Sequence, residues 1–455
     1  MNRLHPDRET LRKLIRGELS AAQGLKIQRH LLLCPECEEL YLTLSFAEQA
    51  AEPDAAADEP AEHVDYTSAI DRVLERTRGE LSRKEQDLAA EQEAAGELAA
   101  ELLALPPGER LPRLEADERL ESWAVCERLV ELCQELSYRD QEEAARVGEL
   151  AVEASRRLDG ERYGEGRAHD LKARAWAAVG YVRRLLADYP GAERAFQNAE
   201  SHLMRGSGDP SEEARLLELK SSLRRSERRF GESLALIDEA IELYKLLTEK
   251  HLTGRALVRR GVTLGFLDRL PEAITSLQQG LSMLQAAAEP RIDLYGRHNL
   301  FCFLLEAGRL LEAQAMLADT QRLHREVGDD HGRLRLQWLE GRLAAALGQV
   351  EQAEEALLET RDAYFHRGEG LNTALVSMEL ASLYVRHDRP RALHRLSDEI
   401  FPMFQLRDLP REAIGALTTF QEAVQQERLT AELVDEILAT VRGGMVRPAA
   451  LLQSV

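Results

Sequence analysis

Ala192-Glu-Arg-Ala-Phe196-Gln-Asn-Ala199 sets a small residue, a large apolar one four positions on, and a second small one three beyond that. The order returns in Ser233-Leu-Ala-Leu-Ile237-Asp-Glu-Ala240, in Ala273 with Leu277 and Gly280, in Ala313 with Leu317 and Thr320, and in Ala353 with Leu357 and Thr360. Ala392 with Leu396, and then Ala431, extend the first column, so that its steps are 41, 40, 40, 40, 39 and 39 residues. Twelve residues upstream of their column members, Gly180, Ser221, Gly261 and Gly341 are small again. Positions four and seven apart share one face of an α-helix. Small residues let two helices approach closely, and the large one fills the groove between neighbouring pairs. A constant period of this length is the mark of stacked helical hairpins, each of which needs a neighbour to bury its apolar face.

This pattern resembles the tetratricopeptide repeat, whose signature positions are matched by Trp176, Gly180, Ala192, Phe196 and Ala199. The resemblance covers roughly residues 120–443 and implies an all-α fold, a right-handed superhelix of about seven to eight helical hairpins. The period exceeds the common 34-residue repeat by about six, which implies longer helices. Phe301 occupies a position where the repeat calls for a small residue, so local packing there must differ.

Composition agrees. Ala, Leu, Glu and Arg dominate, aromatics are 5%, and hydrophobic residues at 44% suffice for buried cores. The formal net charge is −21. That argues against direct nucleic-acid binding, which draws its affinity from basic surfaces. No run approaches the roughly 20 apolar residues that span a bilayer, and the start, MNRLHPDRETLRKLIRGE, lacks the apolar segment of a secretory signal. Five cysteines in 455 residues make no disulfide framework. A cytoplasmic location is the expectation.

Along the chain, Ala51 to His63 (AEPDAAADEPAEH) carries two prolines and five acids with no Lys or Arg, and reads as a linker. The expected organisation is a compact module over 1–50, the acidic linker over 51–63, connecting helices over 64–119, the solenoid over 120–443 and a tail over 444–455. A long helix should run to about Leu105 and stop at Pro106-Pro107.

The sharpest chemical motif is His30-Leu-Leu-Leu-Cys34-Pro-Glu-Cys37, with His5 upstream. If His30 and Cys34 lie on one helix they share a face, and Pro35 suits the first position of a new helix. Two thiolates with one or two imidazoles form a donor set suited to tetrahedral zinc. His5 is the candidate fourth ligand. A closed shell of this kind is structural and can contribute on the order of 10–16 kcal/mol to the folding of a small module. A thioredoxin-like redox motif would need a strand–turn–helix setting, which is lacking.

The block HPDRETLRKLIRGELSAAQGLKIQRHLLLCPECEELY resembles the zinc-binding anti-sigma factor family over about residues 1–50. The resemblance implies His5, His30, Cys34 and Cys37 as metal ligands and a sigma factor, or another transcription component, as partner. Many members of that family continue into a transmembrane helix. This chain continues into a repeat array.

Six residues before the upstream small position stand Arg174, Arg215, Arg255, Tyr295 and Arg335. In tetratricopeptide arrays this helix lines the concave face, which implies a ladder able to grip a carboxylate-rich or phosphorylated peptide. The other reading pairs each arginine with an acid of the adjacent hairpin, such as Glu218 or Glu340. Cys126, Cys133 and Cys302, and Trp123, Trp176 and Trp338, are expected to be packing residues. No GxxxxGK[ST], GxSxG or HExxH motif is present, so no enzyme activity is expected. The reading is therefore a non-enzymatic interaction regulator. An assembly scaffold with purely structural zinc, and a thiol switch that releases zinc, stand as the alternatives.

Overall fold

The computed structural model describes residues 6–19, 23–24, 27, 30–31, 34–49, 67–399 and 411–443, among which the regular elements are all helices. His5, the linker 51–63 and the tail 444–455 lie outside the described residues. No helix among the described residues is long and apolar enough to cross a membrane. The chain divides into two compact units, Met1–Leu219 and Lys220–Val455.

In the first unit, helix Arg8–Ile15 starts at Asp7, whose carboxylate accepts from the Thr10 backbone N–H at 2.7 Å. It packs with helix Pro35–Gln49 through Leu11, Leu31, Cys37 and Leu44. The long helix Thr67–Ala104 ends as expected before Pro106, and Pro107 opens the next, Pro107–Ala116. Ala95, Ala99 and Leu102 near its end share a core with Val125 and Leu129 of helix Trp123–Leu136. Antiparallel neighbours follow: Trp123–Leu136 with Gln141–Arg156, then Glu165–Leu185 with Tyr189–Leu203.

The second unit continues the alternation. Lys250–Phe266 pairs with Leu270–Met283, Pro290–Glu306 with Leu310–Glu326, Asp330–Ala346 with Val350–His366, and Gly370–Arg386 with Pro390–Asp398. The repeat columns explain this packing. A Cβ on Gly180 would stand 2.8 Å from Phe196 Cε1, on Gly261 2.7 Å from Leu277 Cγ, and on Gly341 2.9 Å from Leu357 Cγ. All three distances lie inside ordinary carbon contact of about 3.5–4.0 Å. The small residue of the first helix is thus the seat of the large residue of the second. Where serines replace Gly and Ala, Ser221 Oγ donates to the Ser233 carbonyl at 2.9 Å and Ser233 Oγ to that of Ser221 at 2.9 Å. At the irregular repeat Phe301 is fully buried, while Leu317 is only half-buried, unlike Phe196, Ile237, Leu277 and Leu357. The bulk has moved from one helix of the hairpin to the other.

The turns within hairpins repeat too. Ala187, Arg228, Asp268, Gly308, Gly348 and Asp388 all have positive φ, between 50° and 75°. At each, the following N–H reaches back to close the helix, as Arg269 N does to Leu264 O at 3.1 Å and Gln349 N to Ala344 O at 2.9 Å.

Candidate metal centre and ligand positions

The N-terminal module brings three of its four expected ligands together. His30 has helical backbone, and Cys34 stands just outside the helix Pro35–Gln49, where its carbonyl accepts the N–H groups of Cys37 at 3.1 Å and Glu38 at 3.0 Å. Cys34 is therefore at a helix cap rather than on one continuous helix with His30. Cys37, in the first turn of helix Pro35–Gln49, lies against the imidazole of His30. The ligand atoms of His30, Cys34 and Cys37 all lie within 4.8 Å of one another, and His30 Nε2 is 3.2 Å from Cys37 Sγ. Donors of a tetrahedral zinc site with these bond lengths stand about 3.6 Å apart for nitrogen and sulfur, so the cradle fits such an ion. Cys37 is buried among Leu11, Leu31 and Leu44, which leaves Cys34 and His30, both half-buried, as the solvent-facing side.

The five ladder positions have different surroundings. In the first unit, Arg174 grips the buried Glu212 through Nε at 2.9 Å and Nη2 at 2.5 Å, and Glu127 through Nη1 at 2.8 Å. Burial lowers its pKa, but the bonds to Glu212 and the attraction of both acids outweigh that and hold it above the ordinary arginine value. Arg215 is exposed. In the second unit, Arg255 Nη1 pairs with Glu289 Oε1 at 3.0 Å. Tyr295 is fully buried and its hydroxyl has no hydrogen-bond partner. Arg335 is half-buried, has no carboxylate within ion-pair distance among the described residues, and leaves its Nε without a partner. Burial, incompletely offset by Tyr364, Glu369 and Asp329, pulls Arg335 below the usual arginine value. Of the acids named from sequence, Glu340 instead accepts from Gln321 Nε2 at 2.8 Å, and Glu218 is buried.

A cleft of about 430 Å³ in the first unit is lined by Arg110, Arg146, Arg156 and Arg183 beside Trp176. Each of these arginines already has an acid, respectively Glu143, Glu143, Glu153 and Glu149. Such a surface is compensated internally and offers an anion little.

Cys126, Cys133 and Cys302 are buried as expected, and burial pushes the Cys133 thiol up to about 12. Trp338 is a packing residue whose Nε1 donates to Glu379 Oε2 at 2.6 Å. In Arg297-His298-Asn299, Arg297 is half-buried and pairs with Asp293 at 2.8 Å, whereas His298 and Asn299 are fully buried, and His298 Nδ1 lies 3.0 Å from His324 Nε2. Tyr364, which faces Arg335, belongs to the second helix of its hairpin, Val350–His366, and so falls outside a count made along the first helices.

No family model matches this sequence, and no curated protein does. Among solved structures the chain is similar to BtubC from P. vanneervenii, at 15% identity over 49% of this chain and 90% of that one, with a TM-score of 0.41. It is also similar to a Rap protein complexed with Competence and Sporulation Factor, at 10% identity over 69% and 85%, TM-score 0.46. A third is aspartyl phosphate phosphatase F from Bacillus subtilis, at 15% identity over 97% and 96%, TM-score 0.42.

Proposed function

We propose that this protein is a non-enzymatic, cytoplasmic interaction regulator with two binding parts. Its head, residues 1–50, is tied together by one structural zinc ion held by His30, Cys34 and Cys37 with His5, and docks on a transcription component. A sigma factor is the partner that the sequence resemblance favours. Its helical repeats bind a peptide or protein partner, with Arg174, Arg215, Arg255, Tyr295 and Arg335 as the candidate contacts.

The observation that carries the reading is the convergence of His30, Cys34 and Cys37 within 4.8 Å around a half-buried cradle. Zinc supplies a cross-link there and lowers the pKa of its thiol ligands. The protein's own residues do the rest. Leu11, Leu31 and Leu44 exclude water from one side of the cradle, and the cap at Cys34 fixes the angle at which Pro35–Gln49 leaves it. Among the described residues, Leu11, Leu31, Cys37 and Leu44 with a few half-buried neighbours form a small core for such a module, so the ion and the docking surface should stand or fall together. Among the helical repeats, Arg174 and Arg255 already meet carboxylates, whereas Arg215 and Arg335 have none within ion-pair distance among the described residues, which favours those two as contacts.

The test is binding of the purified full chain to the sigma factors of its source cell by calorimetry, beside Cys34→Ser/Cys37→Ser. Binding by the wild type that the double variant loses supports the reading. A metal-loaded wild type that binds none of them overturns the sigma-factor partner.

A further inference from the structure

We propose that residues 67–90 of the long helix Thr67–Ala104 pair with the same segment of a second copy of this chain. The helix has 38 residues and is therefore about 57 Å long. Its C-terminal part belongs to the first unit. Ala95, Ala99 and Leu102 are buried in the core shared with Val125 and Leu129, and Leu98 packs against that core. Glu91 accepts from the Tyr163 hydroxyl at 2.9 and 3.0 Å and pairs with Arg162. Beyond Glu91 this packing stops. Among the described side chains from Glu75 to Ala90 every one is exposed, Leu88 by 43%.

The sequence pattern that makes the packed face does not stop there. Leu74, Leu81 and Leu88 precede Ala95 and Leu102 at intervals of seven residues. Ile70, Thr77 and Lys84 precede Glu91 and Leu98 at the same interval, four positions before the first line. On one helix, positions three and four apart are neighbours, so the two lines run side by side. The face that the first unit covers from Glu91 onward therefore continues through residues 70–88. A repeat of exactly seven residues makes the narrow seam of a helix pair, whereas docking on a globular body calls for a broader stripe.

Charge selects the partner. Residues 67–90 hold five acids and five Lys or Arg, so the net −21 lies wholly outside them. Two copies of so acidic a chain repel each other elsewhere. This neutral stretch is where they can meet. A two-fold contact must also match itself, which a surface of mixed sign can do and one of a single sign cannot. Lys84, as a polar member of the seam, costs stability and favours one register.

The test is sedimentation equilibrium of the full chain, with hydrogen exchange over residues 70–88 at low and high concentration. We expect the mass of two chains above about 10 µM and protection of those amides that rises with concentration. Leu74→Glu/Leu81→Glu should raise the dissociation constant at least about a hundredfold, with protection at Ala99 and Leu102 unchanged as proof of folding. Ser82→Glu/Gln86→Glu adds the same charge at exposed positions on the outer face of that helix and should remain a dimer. A wild type that stays a monomer overturns the proposal, and protected amides over 70–88 in that monomer would assign the seam to another part of the same chain. A dimer that survives Leu74→Glu/Leu81→Glu overturns it as well, by placing the contact elsewhere.

Discussion

Leu277 Cγ lies 2.7 Å from the point at which Gly261 would carry a Cβ, and the Ala273 carbonyl oxygen lies 3.0 Å from the same point. The first and second helices of a hairpin therefore meet with no room for a methyl group. Gly261→Ala gains about 1 kcal/mol of helix propensity but forces side chain and backbone apart, which costs about 1–3 kcal/mol. A net loss of stability is expected in urea unfolding. Gly96→Ala, at an exposed position with nothing within 4 Å, should instead stabilise by up to about 1 kcal/mol.

The turn positions make a second prediction. Asp268 and Arg228 hold φ of 63° with a full side chain, where Gly308 and Gly348 serve the same role in later hairpins. Left-handed backbone costs an L-residue on the order of 1 kcal/mol. Asp268→Gly should therefore raise the melting temperature and Gly348→Ala lower it, and equal effects of the two would contradict this account of the turns.

A third concerns Arg174. Glu212 is 5% exposed and held by that arginine. Arg174→Gln leaves a buried carboxylate with no cation, a change that typically costs about 3–5 kcal/mol. Changing Arg174 and Glu212 together to Gln should recover much of the loss, and a double-mutant cycle by chemical denaturation measures it.

Buried His324, beside His298, sets a pH dependence. Burial pulls His324 down to about 4, with Asp329 opposing and Arg333 reinforcing the shift. The unfolded chain takes up a proton near pH 6.5, and the folded chain does so only near pH 4. Stability from this site is thus full above about pH 6.5 and declines as pH falls through that window. Between pH 7 and pH 5 the decline is on the order of 2 kcal/mol. His324→Gln should flatten the urea midpoint over this range, and an unchanged slope would remove His324 as the cause.

Much of this architecture was readable from the sequence, for a physical reason. Close helix crossings need small residues, so Gly180, Gly261 and Gly341 leave a mark at a constant interval, and the long helix ends at its prolines. The turns left no such mark, because Ala187, Arg228, Asp268 and Asp388 take a conformation that side chains disfavour but do not forbid. The cradle of His30, Cys34 and Cys37 followed from spacing, since the break at Pro35 is local. Pairing of the arginines did not follow. Whether Arg174 meets Glu212, or Arg335 lacks an ion-paired carboxylate among the described residues, depends on helices some forty residues away, and in a chain with 80 acids proximity along the sequence says little about which one arrives.

The central claim is that one metal ion knits the N-terminal head. The most direct measurement is the metal content of the purified full chain by mass spectrometry, with hydrogen exchange at Leu11, Leu31 and Leu44 before and after chelation. We expect about one zinc ion per chain, absent from Cys34→Ser/Cys37→Ser, and loss of protection at those leucines when it is removed. A metal-free protein whose three leucines stay protected would contradict the account.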